Sequence, residues 1–313
     1  MDEFGVIQKF FTSPITRADV VLGSGDDCAL VTVPAGKQLA ITTDTLIKGI
    51  HFPDTTSPYD IGYKALAVSL SDLAAMGATP AWVTGALTVP IADDVWLAEF
   101  ARGLFGLATE YHVQLIGGDL THGPALSVTI QAIGLLPTGK ALTRGGARAG
   151  DLIYVTGNLG DAGLALRFLQ QKISVAPEFQ QEILIRLNQP TPRIAAGENL
   201  LDIASSAIDI SDGLAGDLQH ILKKSGVGAK VFVDKLPLSK ALCHSVTTDE
   251  AIALALTAGD DYELCFTIPK AKAELLATTD FTCIGEITTE QSCIYQFTNG
   301  IKYHGNTSGY RHF

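Results

Sequence analysis

Carboxylates stand in apolar surroundings at five places along this chain, and an acid in such a setting needs a partner. Asp44 ends the run Leu39-Ala-Ile-Thr-Thr-Asp and is the only ionisable residue between Lys37 and Lys48. Asp72 is the only one between Lys64 and Asp93, inside a helical pattern that reads as buried. Asp119, in Leu115-Ile-Gly-Gly-Asp, is the only acid or base, histidines aside, between Glu110 and Lys140. Asp209 and Asp212 sit in Ala207-Ile-Asp-Ile-Ser-Asp-Gly, and Asp26 and Asp27 in the glycine-rich Gly23-Ser-Gly-Asp-Asp-Cys-Ala. A buried carboxylate costs several kcal/mol unless it is paired or bound to a metal. Basic residues that could pair with so many acids are not close by in sequence. Oxygen donors without histidine or cysteine clusters favour Mg²⁺ over zinc or copper, and Mg²⁺ on carboxylates usually completes its coordination with phosphate.

Each acid taken alone has a plainer reading. Asp72 could pair with Lys64, Asp119 could be a turn residue after two glycines, and Asp212 before Gly213 reads equally as a helix N-cap. Asp26-Asp27 after glycines is commonly just a loop. Taken together, the five places favour a site holding several Mg²⁺ ions and phosphate.

Other motifs narrow the class. There is no G-x-x-x-x-G-K-[ST], so a P-loop is excluded, and no G-x-G-x-x-G after a first strand. H-E-x-x-H and G-x-S-x-G are missing, against a zincin or an α/β-hydrolase. Gly157-x-x-Gly160-x-x-Gly163 follows a strand and opens a helix; its N–H groups could hold an anion, or it is a tight connection. Lysine plus arginine number 22 against 33 aspartate plus glutamate, a net charge of −11 that argues against nucleic acid and anionic membrane. No apolar run reaches the roughly 18 residues that span a bilayer. The acidic start Met1-Asp2-Glu3 does not read as a secretory signal. Five cysteines without a C-x-x-C pair fit reduced thiols, so a cytoplasmic protein is expected.

The elements that must carry these residues alternate. Residues 39–45 and 80–89 read as strands, with a helix over 60–76 between them that places Leu66, Leu70 and Leu73 on one face. A helix over 93–111 and strands near 112–117 and 126–135 complete a β-α-β-α-β-β first half. The second half reads as strands at 152–156, 206–210, 229–233, 263–268 and 282–287. Its helices are expected from about 161 to 171 and over 178–187, 192–203 and 213–225. The chain of 313 residues should therefore form two α/β or α+β domains, 1–138 and 139–313.

Several blocks, in order and across nearly the whole chain, resemble the thiamine-monophosphate kinase family. They are Gly23–Ala29, Thr42-Thr-Asp-Thr-Leu46, Gly49-Ile-His-Phe52, Lys64–Ala78 and Gly117-Gly-Asp-Leu-Thr-His-Gly-Pro124. Gln189-Pro-Thr-Pro-Arg193, Asp209-Ile-Ser-Asp-Gly-Leu214, Gly259-Asp-Asp-Tyr-Glu-Leu-Cys-Phe266 and the ending Gly309-Tyr-Arg-His-Phe313 continue the likeness. The resemblance implies the two-domain fold of aminoimidazole-ribonucleotide synthetase, with a mixed N-terminal α/β domain that binds ATP and Mg²⁺ and forms a homodimer, and a C-terminal α+β domain. It also implies the last step of thiamine diphosphate synthesis, ATP plus thiamine monophosphate giving ADP and thiamine diphosphate by direct, Mg²⁺-assisted transfer without a protein acid or base. Matching positions would make Asp27, Thr42, Thr43, Asp44, Asp72, Asp119, Asp209 and Asp212 the metal ligands. Gly118, Asp119, Arg144 and Ser211 would address ATP, and His51, Asp260 and Tyr310 the thiamine monophosphate. The chain departs from the family pattern at Asp260, where glutamate is more usual, and at Ala258, Leu120, His122 and Ser69. The competing readings are a sister enzyme of the aminoimidazole-ribonucleotide synthetase type and a nucleotide-binding homologue without turnover.

Overall fold

The computed structural model describes residues 3–12, 14–276 and 280–309. They form two compact units, one of residues up to 73 together with 78–140, the other of 74–77 together with the chain from 141 onward. The first unit opens with α1 (Glu3–Val6), which runs into a π-helical turn, and a small antiparallel pair, β1 (Val20–Leu22) and β2 (Leu30–Val31). Then come β3 (Lys37–Ile47), α2 (Pro58–Ala75), β4 (Thr79–Val89), α3 (Asp94–Glu110), β5 (Gln114–His122) and β6 (Ser127–Pro137). The four long strands form one sheet in the order β3-β6-β4-β5, with only β4 and β5 parallel.

Helix α3 starts where expected because Asp93 caps it, its side chain accepting the Trp96 N–H at 2.8 Å. Helices α2 and α3 pack backbone to backbone. A Cβ on Gly62 would lie 2.1 Å from the Phe100 carbonyl oxygen, and one on Gly103 2.0 Å from that of Tyr59. The core between helices and sheet is built from Leu66, Leu70, Leu97, Phe100, Leu104, Val128 and Ile130, all buried. On β3 the two-residue alternation leaves Leu39, Ile41, Thr43 and Thr45 exposed and half-buries Thr42 and Asp44.

The second unit holds β7 (Leu152–Thr156), α4 (Asp161–Leu169), α5 (Pro177–Asn188), α6 (Ile194–Leu200), β8 (Ser206–Ile210), α7 (Leu214–Ser225) and β9 (Gly228–Phe232). After them come α8 (Lys240–Ser245), α9 (Thr248–Thr257), β10 (Glu263–Ile268), β11 (Phe281–Thr288) and β12 (Cys293–Gln296). Its six strands run β12-β9-β11-β7-β10-β8, antiparallel except for β12 on β9. Leu218, Ile221 and Leu222 of α7 lie against Ile153, Ile208 and Cys265 in one core cluster, while α4, α5, α8 and α9 share another.

Three expectations change. Strand β5 continues to His122 instead of stopping near 117, so Asp119 lies within a strand rather than in a turn. Gly118 just before it permits close pairing: a Cβ there would meet the Gly85 carbonyl oxygen at 2.0 Å. The helix expected over 192–203 is the shorter α6. Helices α8 and α9 and strands β1, β2 and β12 are elements that the pattern of the sequence did not suggest.

Candidate functional site

In the first unit, strand β3 and helix α2 bring one set of oxygen donors together. Thr42 and Asp44, two residues apart, share the sheet face toward α2, while Ser69 and Asp72, three apart, share a helix face. The Thr42 hydroxyl donates to Asp72 Oδ2, and the Ser69 hydroxyl donates to Asp44 Oδ2 at 2.9 Å. Burial and, after it, the negative charge of Asp72 push the Asp44 carboxyl up to about 6, with the Ser69 hydrogen bond opposing. A half-buried carboxylate, Asp44, whose ionisation is opposed by burial and by a facing acid fits a hard divalent cation, which would relieve both burial and repulsion.

Thr43 lies on the opposite face, exposed and paired with Gln131. Asp119 is aligned across the sheet with Ala86, Thr129 and Thr45, whereas Asp44 is aligned with Ile130, Gly85 and Gly118. The alternation therefore places the Asp119 and Asp44 side chains on opposite faces. Asp119 Oδ2 accepts from the Thr121 hydroxyl at 2.8 Å. Asp27, Gly118 and Asp119 instead line a cavity of about 500 Å³, together with Phe4, Phe11 and Leu104. At its glycine-rich wall the Asp27 N–H donates to Asp26 Oδ1 at 2.8 Å. His51, in the turn after β3, accepts the Ile47 N–H on Nδ1 at 3.0 Å, so the neutral ring carries its proton on Nε2.

In the second unit, β8 carries buried Asp209, and Ser211, Asp212 and Gly213 lead into α7. Gly213 is the N-cap, with a φ of 104°, so Asp212 does not cap the helix. The carboxylate that secures this turn is Asp217, whose Oδ2 accepts the N–H groups of Ser211 and Asp212 at 3.1 and 3.0 Å. Burial raises Asp217 to about 7, aided by the charge of Asp212 and opposed by these N–H groups and by Arg144, whose guanidinium is thus within electrostatic reach. Sequence reasoning passed over Asp217. Its signal was an acid between Gly216 and Leu218 in the first helical turn.

Asp260 meets this turn from the loop between α9 and β10: its N–H donates to the Ser211 carbonyl at 2.9 Å. A Cβ on Gly309 would lie 2.8 Å from the Asp212 carbonyl oxygen, so the tail reaches the same turn. Tyr310 falls outside the described residues. The glycines from 157 to 163 hold no external anion at Gly160, because its N–H donates to the chain's own Asp261 Oδ2 at 2.8 Å.

The acids thus gather in local sets: Asp26 with Asp27, Thr42 with Asp44 and Asp72, and Asp209 near Asp212 and Asp217. Among the described residues, no three His, Cys, Asp or Glu side chains converge as a ready-made metal cluster.

A four-stranded sheet under two helices, followed by a six-stranded sheet and its helices, defines the class of AIR synthase related proteins. The N-terminal domain of that class matches residues 25–136 and its C-terminal domain residues 148–296. Thiamine-monophosphate kinases from Salmonella typhimurium and Escherichia coli (strain K12) are 48% and 47% identical, each over 99% of this chain and 98% of the relative. The chain belongs to the thiamine-monophosphate kinase family. The crystal structure of thiamine-monophosphate kinase from Stenotrophomonas maltophilia K279a superposes with a TM-score of 0.86 at 44% identity, covering 92% of this chain and 93% of that one. AaThiL complexed with AMPPCP and TMP superposes at 0.79 with 30% identity over 90% of this chain and 89% of its own. The E. coli hydrogenase maturation protein HypE, at 18% identity and a TM-score of 0.78, shares the fold alone.

Proposed function

We propose that this protein transfers the terminal phosphoryl group of ATP to the phosphate of thiamine monophosphate, giving ADP and thiamine diphosphate. The observation that carries the reading is its likeness, over 90% of its length, to a protein that holds AMPPCP and TMP together. The nucleophile is a phosphate oxygen, already anionic near neutral pH, so no strong protein base is needed. The difficulty is repulsion: two unit charges about 4 Å apart at an effective dielectric near 20 repel by about 4 kcal/mol.

Bound Mg²⁺ ions would screen that repulsion and stabilise charge on the transferring group. Asp27, Thr42, Thr43, Asp44, Asp72, Asp119, Asp209 and Asp212 would hold them. The opposite faces of Asp44 and Asp119 favour separate ions over a single shared one. The cavity beside Asp27, Gly118 and Asp119 is about 500 Å³, roomy enough for a nucleotide-sized ligand, with aromatic walls for a base and backbone for phosphates. Arg144 and Ser211 would address the phosphates, Arg144 supplying a fixed cation. His51, Asp260 and Tyr310 would bind thiamine monophosphate. Leu39 and Ile41, 40% and 59% exposed on the edge strand β3, support a homodimer through the first unit. No described helix is long and apolar enough to cross a membrane, which suits a cytoplasmic enzyme.

The test is incubation with MgATP and thiamine monophosphate, thiamine diphosphate being followed by chromatography, with free thiamine in parallel. Product from the monophosphate alone supports the kinase. Binding of MgATP without product from either would replace it by a sister activity or a nucleotide-binding module.

A further inference from the structure

Beneath the turn that carries Asp260 lies a buried ionic core that neither the metal sets nor the nucleotide cavity uses. Glu263 is fully buried and gripped from three directions. Arg193 makes a two-pronged contact, Nε to Oε2 and Nη2 to Oε1, both at 2.5 Å; Arg186 Nη2 reaches Oε1 at 2.7 Å, and the Thr156 hydroxyl donates to Oε2 at 2.5 Å. Two residues earlier, buried Asp261 accepts the Gly160 N–H on Oδ2, while its Oδ1 has no hydrogen-bond partner. Asp161, also buried, accepts from the Ser239 hydroxyl at 2.5 Å. The glycine loop is shaped to admit these groups: at Gly157, with φ of 53°, a Cβ would lie 2.2 Å from Glu263 Oε1 and 2.7 Å from Arg193 Nη2.

Between these anchors the backbone is in an unusual state. Asp260 and Tyr262 are both non-glycine residues in the left-handed region, with φ of 68° and 49°. Such conformations persist only where the surroundings over-determine them. Here they are fixed from both sides. The N–H groups of Asp260 and Tyr262 donate to the carbonyls of Ser211 and Ile210 at 2.9 and 2.8 Å, while the alternating Asp261 and Glu263 point into the ionic core. A buried ion cluster is a poor source of net stability, since apolar replacements are often neutral or better. Its location under a strained turn gives it a different use.

We infer that Asp261 and Glu263, with Arg193, are positioning residues that hold Asp260 in the geometry needed for the acceptor substrate. This rests on the reading of Asp260 as a contact to thiamine monophosphate. The core acts through the turn and touches neither substrate, so its loss should weaken one substrate and spare the other.

The full chain, assayed with MgATP and thiamine monophosphate, separates the two claims. Asp260→Ala tests the substrate contact and should raise KM for thiamine monophosphate by about tenfold or more, leaving KM for ATP within about twofold. Asp261→Ala should produce the same split, whereas Asp261→Asn, which keeps an oxygen for the Gly160 N–H, should stay within about threefold of the parent. The double variant Asp260→Ala/Asp261→Ala should be no worse than Asp260→Ala alone, because both changes act on one interaction. Arg193→Lys keeps the charge but gives up the two-pronged grip, and provides the same KM split should Asp261→Ala fail to fold. A silent Asp260→Ala overturns the contact itself. An effective Asp260→Ala accompanied by equal rises in both KM values for Asp261→Ala and Arg193→Lys, or by full additivity in the double variant, overturns the positioning role.

Discussion

Replacing Asp44 with asparagine should stabilise the metal-free protein while removing its turnover. Burial and the facing Asp72 raise the Asp44 carboxyl from 3.8 to about 6. Between those two values the folded chain binds more protons than the unfolded one, so this group's contribution to stability falls as pH rises through that window and stays lost above about 6. The shift of about 2.2 pH units, at 1.36 kcal/mol each, costs about 3 kcal/mol at pH 8 and only about 0.6 kcal/mol at pH 4. Asparagine keeps an oxygen to accept the Ser69 hydroxyl and carries no charge. The variant should therefore gain up to about 3 kcal/mol at pH 8, roughly 6–12 °C in melting temperature for a unit of this size, and almost nothing at pH 4. Thermal melts in EDTA across pH 4–8 measure this directly. Adding Mg²⁺ should reverse the order at pH 8 once it is in about thousandfold excess over its Kd, where it stabilises the parent by about 4.1 kcal/mol. A variant less stable than the parent at pH 8 in EDTA, or a difference that does not change with pH, would refute the account of a carboxylate pair awaiting a cation.

Three further outcomes follow from other parts of the molecule. Asp212→Asn removes charge from the Ser211–Gly213 turn but leaves its backbone hydrogen bonds to Asp217, so turnover should fall by about a hundredfold or more with little change in melting temperature, as read by steady-state kinetics beside a thermal melt. Arg144→Ala should raise KM for ATP about 10–100-fold, the worth of a charge-assisted hydrogen bond, and titration of MgATP by calorimetry checks it. Gly103→Ala should cost about 3 kcal/mol, because its Cβ would sit 2.0 Å from a carbonyl oxygen of α2. Gly106→Ala on the same helix meets nothing closer than 3.7 Å and should gain about 0.5–1 kcal/mol, so denaturant unfolding of the pair isolates the steric effect.

The sequence made the long elements legible where periodicity was strong and one face was buried. Strand β3, helix α2 and capped α3 are examples, and the isolated acids on them led directly to Asp44 and Asp72, while Thr42 came only from the family resemblance. Strands β1 and β2 were hidden because two or three residues carry no period. Helix α9 had a signal that went unread: Thr247 and Glu250 form a capping box before an apolar run. Asp119 was ambiguous because Gly-Gly marks turns, whereas here the second of the pair, Gly118, permits two strands to approach closely. Asp217, Asp261 and Glu263 lay among other acids, so isolation in the sequence did not pick them out; their burial comes from strands and helices distant along the chain. The Gly157 motif suggested an anion, and its anion proved internal.

Strand β3 separates two tasks by the parity of its residues. Even positions 42 and 44 face α2 and the carboxylate of Asp72, while odd positions 39, 41, 43 and 45 form an open face of apolar and hydroxyl groups, where Thr45 and Thr129 join across strands at 2.9 Å. Substitutions at 39 and 41 can therefore drift toward stickier or more polar chemistry without disturbing Asp44 and Asp72 behind the sheet. Thr43 is the exception, since it sits on the open face between two residues of the ionic set. If a second subunit covers that face, Thr43 makes the strand a mechanical link, and a change in quaternary contact one residue away would be felt at Thr42 and Asp44 as a shift of their backbone.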